Sequence, residues 1–168
     1  MEEKLALYGG TFDPITNGHF WMIEQGAEIF DKLNIAIGVN PEKKCLFSLK
    51  ERLEMIQELI KPFPNVELSA YENQFMVSYA KIIGARFILR GVRNSADYEY
   101  ERTMRHVNGD FKTKITPVFL MPSREIAEIS SSMVKGLVGP EGWEEVVQRY
   151  VPPVVFNKLK EEYYGRSK

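Results

Sequence analysis

Apolar and polar positions along this chain switch between two periods, and the switching outlines a string of strands and helices. The run Leu5-Ala6-Leu7-Tyr8 ends at Gly9-Gly10, the form of a buried strand closed by a turn. Phe20, Ile23, Ala27 and Phe30 then step by 3, 4 and 3, which places them on one helix face. Leu33 to Val39 reads as a second strand, and Ser48-Leu49-Lys50-Glu51 has the form of a capping box that opens a helix carrying Leu49, Leu53, Ile56 and Ile60. A third strand is predicted from Asn65 to Ala70, a helix from Phe75 to Ile83 stopped by Gly84, and a fourth strand from Arg86 to Arg90. Tyr100, Met104, Val107 and Phe111 continue the helical period, and Ile115 to Leu120 gives a fifth strand. Pro117 inside that strand predicts a sheet edge, because proline donates no ladder hydrogen bond. Gly139-Pro140 and Pro152-Pro153 punctuate a helical tail with short helices at Trp143 to Tyr150 and Val154 to Tyr164.

Five alternations of strand and helix predict an α/β fold: a doubly wound, five-stranded parallel sheet with right-handed crossovers, helices on both faces and a helical C-terminal tail. At 168 residues the chain is expected to form a single domain, residues 1–168. In such sheets ligands sit beyond the carboxyl ends of the strands, at the switch point of strand order. The residues just after Tyr8, Val39, Ala70, Leu89 and Leu120 are therefore the ones to inspect.

Charge and composition then remove several chemistries. The formal net charge is −1, which lacks the electrostatic footprint of a nucleic-acid or membrane-surface binder, so neither partner is expected. One cysteine, Cys45, forms no internal disulfide and gives secretion no redox support. No stretch reaches about 18 consecutive apolar residues, and Met1-Glu2-Glu3 lacks the basic start of a signal peptide, so a soluble, cytoplasmic protein is expected. The two histidines, His19 and His106, form no HExxH, and the P-loop, GxGxxG and GxSxG signatures are missing.

Four strand ends carry groups suited to phosphate. After the first come Gly9-Gly10-Thr11-Phe12-Asp13-Pro14-Ile15-Thr16-Asn17-Gly18-His19, where the glycines allow a tight turn and close approach by a ligand. Thr16 or Asn17 can cap the next helix, leaving Gly18 and His19 in a first turn whose free N–H groups favour anions. An ordinary strand–turn–helix with a surface histidine fits the spacing equally well. After the second strand stand Lys43 and Lys44, which solvation alone would explain; after the fourth, Arg90-Gly91-Val92-Arg93, whose arginines could clamp phosphate or pair with Asp97, Glu99 or Glu101. After the fifth, Ile129-Ser130-Ser131-Ser132-Met133-Val134-Lys135 reads as a helix start rich in hydroxyls, with a plain N-cap as the simpler reading of any one serine. A site of donors and cations with no carboxylate pair or hydroxyl–base pair suits phosphoryl or nucleotidyl transfer by positioning and charge stabilisation.

Gly10 to His19 resembles the T/HxGH signature of the nucleotidyltransferase α/β superfamily. With Lys43, Arg90-Gly91-Val92-Arg93, Asp97-Tyr98-Glu99-Tyr100-Glu101 and Ile129 to Ser132, the chain is similar to the bacterial phosphopantetheine adenylyltransferase family from about Leu5 to Lys135. The resemblance implies a Rossmann-like sheet, a homohexamer, and transfer of AMP from MgATP to 4′-phosphopantetheine. The products would be dephospho-CoA and pyrophosphate, in the penultimate step of coenzyme A synthesis. It implies catalytic roles for His19, Lys43 and Arg93, with His19 stabilising the pentavalent transition state at the α-phosphate. Thr11, Phe12, His19, Gly91, Val92, Arg93, Glu101, Ile126, Ala127, Glu128, Ile129, Ser130, Ser131 and Ser132 would bind ATP. Thr11, Lys43, Met76 and Arg90 would bind 4′-phosphopantetheine. Attack would be in line, without a covalent intermediate or general base, because the acceptor is already an anionic phosphate. Mg²⁺ would travel mainly on the ATP phosphates. Coenzyme A, which carries the same pantetheine arm, is the feedback ligand the resemblance suggests.

Two positions depart from the family's pattern. Ile126 and Glu128 stand where aromatic residues are more usual, so adenine would be packed more weakly, or else by aliphatic and backbone contacts. The stretch Tyr71 to Phe75 is one residue longer, which affects the register of Met76. Other readings stay open at this point: a nicotinamide-mononucleotide adenylyltransferase or a cytidylyltransferase, expected to carry His in place of Thr16 and Arg in place of Lys135, and a non-catalytic nucleotide or CoA sensor on the same fold.

Overall fold

The computed structural model describes residues 2–109, 111 and 114–165, with the side chains of 107–109 left aside. Among them run β1 (Leu5–Gly10), α1 (Asn17–Ile29), β2 (Lys32–Val39), α2 (Leu49–Ile60), β3 (Val66–Glu72), α3 (Met76–Ile82), β4 (Phe87–Gly91), α4 (Ser95–Gly109), β5 (Thr116–Leu120), α5 (Arg124–Ala127), α6 (Ser131–Leu137), α7 (Trp143–Val147) and α8 (Pro153–Gly165). All four strand pairings are parallel, in the order β3-β2-β1-β4-β5. The expected α/β class and five-stranded parallel sheet are borne out. Strand order reverses between β1 and β4, so their carboxyl ends frame the switch point. Pro117 lies in β5, which is an edge strand.

Alternation along the strands divides the core. Ala6, Tyr8, Leu33, Ile35, Ile37 and Leu89 point into a large cluster with Ile23, Met55, Ile56 and, from the tail, Val147, Val155 and Leu159. Leu7, Ala36 and Ile88 point to the other face, where Val77, Ala80 and Ala85 form a much smaller cluster. The short α3 and its alanine let that layer sit close to the sheet, and Gly84, at φ 74, ends it as the sequence predicts.

Three local readings need correcting. The two glycines after Tyr8 belong to β1; the left-handed residue of the turn is Phe12, at φ 49. The helix carrying Tyr100 begins earlier, at Ser95, and ends before Phe111, whose ring packs edge-on against Phe75 with centroids 5.2 Å apart. The Val107 side chain of that periodic face lies outside the described residues. The four-residue α5 is an element the pattern does not predict, being too short to show a period.

Candidate active site

A cleft of about 430 Å³ opens at the switch point. It is lined from β1 and its turn by Tyr8 to Phe12, from α1 by Gly18 and His19, and from the loop after β2 by Lys43. The carboxyl end of β4 gives Arg90 and Gly91, the loop after it Arg93, and the far side Ile126, Ile129 and Ser130 to Ser132.

The start of α1 sets the histidine. Thr16 is the N-cap: its hydroxyl accepts from His19 N, while its own backbone N–H donates to His19 Nδ1 at 3.1 Å. A backbone N–H can only donate, so Nδ1 is an acceptor and the neutral ring carries its proton on Nε2. Thr16 Oγ1 lies 2.8 Å from the same Nδ1. Burial, with the Arg93 guanidinium acting in the same direction, pushes the His19 pKa down to about 4. The edge-on Phe12 ring, 5.3 Å from the imidazole centroid, braces it. His19 is therefore a neutral, oriented hydrogen-bond donor near pH 7. Asn17 N donates to the Tyr150 carbonyl, so the tail anchors this helix start and the Gly18 N–H is the first-turn donor left for an anion.

Three side chains hold the β1 turn from below. Asp13, 2% exposed, accepts from Leu46 N and Phe47 N at 2.9 Å and from Lys135 Nζ at 2.8 Å. Burial pushes its carboxyl upward, but the lysine and the two amides outweigh it and hold the pKa below the usual range. Arg52, also buried, donates from Nη1 to the Thr11 carbonyl at 2.8 Å. Lys43 Nζ donates to Thr11 Oγ1 at 3.2 Å, which aims the ammonium into the cleft.

At the end of β4 and just after it the guanidinium groups are paired. Arg90 donates to Glu101 from Nε at 2.7 Å and makes an Nη2 contact at 2.5 Å. Arg93 grips Asp97 through Nε at 2.8 Å and Nη2 at 3.1 Å; this bond raises the arginine's pKa and lowers the aspartate's. The ion-pair reading of both arginines is thus realised, and both still line the cleft.

Most of the candidate residues come together here, but not all. Val92 is buried, its N–H bonded to the Leu120 carbonyl, and it does not line the cleft; nor do Ala127, Glu128 and Lys44. Ser130 caps α6 by accepting from Met133 N, and Ser131 donates to the Pro14 carbonyl at 2.8 Å, so both hydroxyls have structural partners. Met76 lies against Gly9, where a Cβ would stand 2.9 Å from Met76 Cε. It lines a narrow apolar groove of about 90 Å³ beside the cleft, with Val77, Ile88, Met104 and Ile115, and Arg90 and Glu101 belong to both spaces. Sequence reasoning missed Asp13, Arg52, Lys135 and Tyr8 as site residues. Asp13 and Lys135 stand inside the two motifs, but their meeting across the fold leaves no local signal.

The fold and the cleft together define a nucleotidyltransferase-like α/β protein. The cytidylyltransferase-like family model matches residues 7–137. Phosphopantetheine adenylyltransferase of Neisseria meningitidis serogroup B is 54% identical over 160 residues, 95% of this chain and 94% of that protein. That of Chromobacterium violaceum is 51% identical, covering 95% and 98%. Among solved structures, Plasmodium falciparum nicotinic acid mononucleotide adenylyltransferase complexed with NaAD superposes with a TM-score of 0.69 at 14% identity, covering 96% and 98%; at that identity the likeness shows the fold. The chain belongs to the cytidylyltransferase-like family and, within it, to the phosphopantetheine adenylyltransferases.

Proposed function

We propose that this chain transfers AMP from MgATP to 4′-phosphopantetheine, forming dephospho-CoA and pyrophosphate in coenzyme A biosynthesis. The observation that carries the reading is the convergence of His19, Lys43, Arg90 and Arg93 on one cleft, in a chain about half identical to proteins of that activity. A phosphate oxygen of the acceptor attacks the α-phosphorus in line, and the bond to pyrophosphate breaks on the opposite side. The acceptor needs no base, so the protein supplies position and charge. His19 Nε2–H and the Gly18 N–H stabilise the charge that builds on the α-phosphate. Lys43, Thr11 and Arg90 hold the acceptor phosphate, and Met76 walls the groove that takes its pantetheine arm. Arg93, with Phe12 and Gly91, faces the triphosphate, and Ile126, Ile129 and Ser130 to Ser132 enclose the adenosine. Glu101 acts by holding Arg90.

The cleft's carboxylates, Asp97 and Glu101, are engaged by arginine, and no group of three metal-ligating side chains stands among the described residues. This donor set fits a Mg²⁺ carried on triphosphate oxygens and water. When bound, the ion neutralises phosphate charge.

The proposed assembly is a homohexamer in the cytoplasm. No described helix is long and apolar enough to cross a membrane. Phe75, Tyr100 and Phe119 are exposed along the apolar groove, and Tyr98 shares the next hollow with Phe119, a face suited to a second copy. Light scattering should give six times the chain's mass. Coenzyme A, sharing the pantetheine arm, is expected to compete at the same groove.

Pyrophosphate release with MgATP should require 4′-phosphopantetheine and should not occur with nicotinamide mononucleotide, or with CTP in place of ATP. Release with another acceptor would move the chain to another branch. Tight ATP binding without any release would make it a sensor.

A further inference from the structure

We propose that Asp13 is the positioning residue that couples the two substrate halves of the cleft, through the loop that carries Lys43 on one side and α6 on the other. One carboxylate does this with two oxygens. Oδ1 accepts from Phe47 N; Oδ2 accepts from Leu46 N and from Lys135 Nζ. Leu46 and Phe47 end the loop that begins at Asn40 and presents Lys43, the acceptor-side cation. Lys135 lies in α6, whose first turn presents Ser130 to Ser132 to the nucleotide side. These partners lie 33, 34 and 122 residues away, so no local element brings them together.

Asp13 touches neither substrate site itself. Its side chain lies under the turn, and Thr11 and Phe12, its neighbours in that turn, line the cleft. A buried carboxylate serving three donors is costly to disturb, because each donor left behind loses a charge-assisted partner. The α6 side has a second tether, the Ser131 hydroxyl on the Pro14 carbonyl, whereas for the amides of Leu46 and Phe47 Asp13 is the hydrogen-bond partner. Losing Asp13 should therefore disturb the acceptor side more than losing Lys135 disturbs the nucleotide side.

The test compares Asp13→Asn, Lys135→Met and Lys135→Arg. Its kinetic arm rests on the activity proposed above, and amide hydrogen exchange is read independently of it. Asp13→Asn should raise KM for both substrates about tenfold and speed exchange of the Leu46 and Phe47 amides at least tenfold. Lys135→Met should raise KM for ATP about fivefold, leave that for phosphopantetheine within twofold, and leave those two amides protected. Lys135→Arg should restore the ATP value, and adding Lys135→Met to Asp13→Asn should raise it no further. A merely structural role would lower the active fraction and Tm without moving either KM. Unmoved KM values in Asp13→Asn, or equal rises for both substrates in Lys135→Met, would overturn the proposal. Should Asp13→Asn fail to fold, the two lysine variants decide it. If the wild-type chain transferred no AMP, the activity reading would fall; the exchange arm would still decide the coupling, and unchanged amide exchange in folded Asp13→Asn would overturn it.

Discussion

On the β1–α1 side of the cleft the key donor is held by backbone, whereas on the β4–α4 side each guanidinium is held by a carboxylate. His19 has its acceptor nitrogen fixed by the Thr16 N–H and presents its one remaining proton outward. Arg90 and Arg93 are already partnered, by Glu101 and Asp97, before any phosphate arrives. The first arrangement suits a group that must meet a transition state without rearranging, since preorganisation is what makes such a donor effective. The second suits binding: a phosphate exchanges with, or shares, a carboxylate's place, so the cations need no costly isolation while the cleft is open. Under the proposed function the difference would divide the work, with rate on one side and affinity on the other.

The largest effect should come from breaking the first side. His19→Ala is expected to lower kcat about 10²–10³-fold, as for other preorganised donors, while ATP affinity stays within about tenfold. Single-turnover kinetics with calorimetry would show it, and an unchanged kcat would remove His19 from the transition state. Next, Lys43→Ala should weaken phosphopantetheine about ten- to a hundredfold, the worth of a charge-assisted hydrogen bond, and ATP far less. Equal losses by calorimetry would show that the lysine is not confined to the acceptor side.

A gentler probe of the same contrast is pH. With its pKa lowered to about 4, His19 stays neutral through the range where an ordinary histidine titrates, so it should add no inflection near 6.5 to kcat beyond that of the acceptor phosphate. The unfolded chain binds this proton below about 6.5 and the folded chain only near 4. Stability from this group is thus complete above 6.5 and falls as pH drops toward 4, by at most about 1.4 kcal/mol per pH unit. Urea titrations between pH 7 and 4.5 would measure that slope, corrected with His19→Gln. The smallest effect is expected at Gly9→Ala. Its Cβ would press on the flexible end of Met76, so KM for phosphopantetheine should shift only a few-fold and that for ATP not at all.

How much of this was legible beforehand follows the range of the interactions. Strand runs, the Ser48 capping box, the Thr16 cap and the edge position of Pro117 are written in adjacent residues, and the structure has them all. The strand-end rule gathered the phosphate-friendly residues on one edge because it needs only strand order. The tautomer of His19 was not legible, since a histidine in the third helical position is not read as half of a capping box. Phe12 at positive φ was hidden by the two glycines before it, which looked like the turn. Asp13 was unreadable for a different reason: its three partners are set by the tertiary fold. The arginine pairings were half legible, since Asp97 and Glu101 are two of the three carboxylates the sequence offers and the fold selects between them.

In the proposed reaction AMP passes directly between the two substrates, with both sides of the cleft filled before the α-phosphate reacts. Exchange of labelled pyrophosphate into ATP is the decisive experiment. Direct transfer requires no exchange with MgATP alone and exchange once dephospho-CoA is supplied, because the AMP group has no acceptor on the protein. Exchange with MgATP alone would reveal an adenylylated side chain and rule direct transfer out.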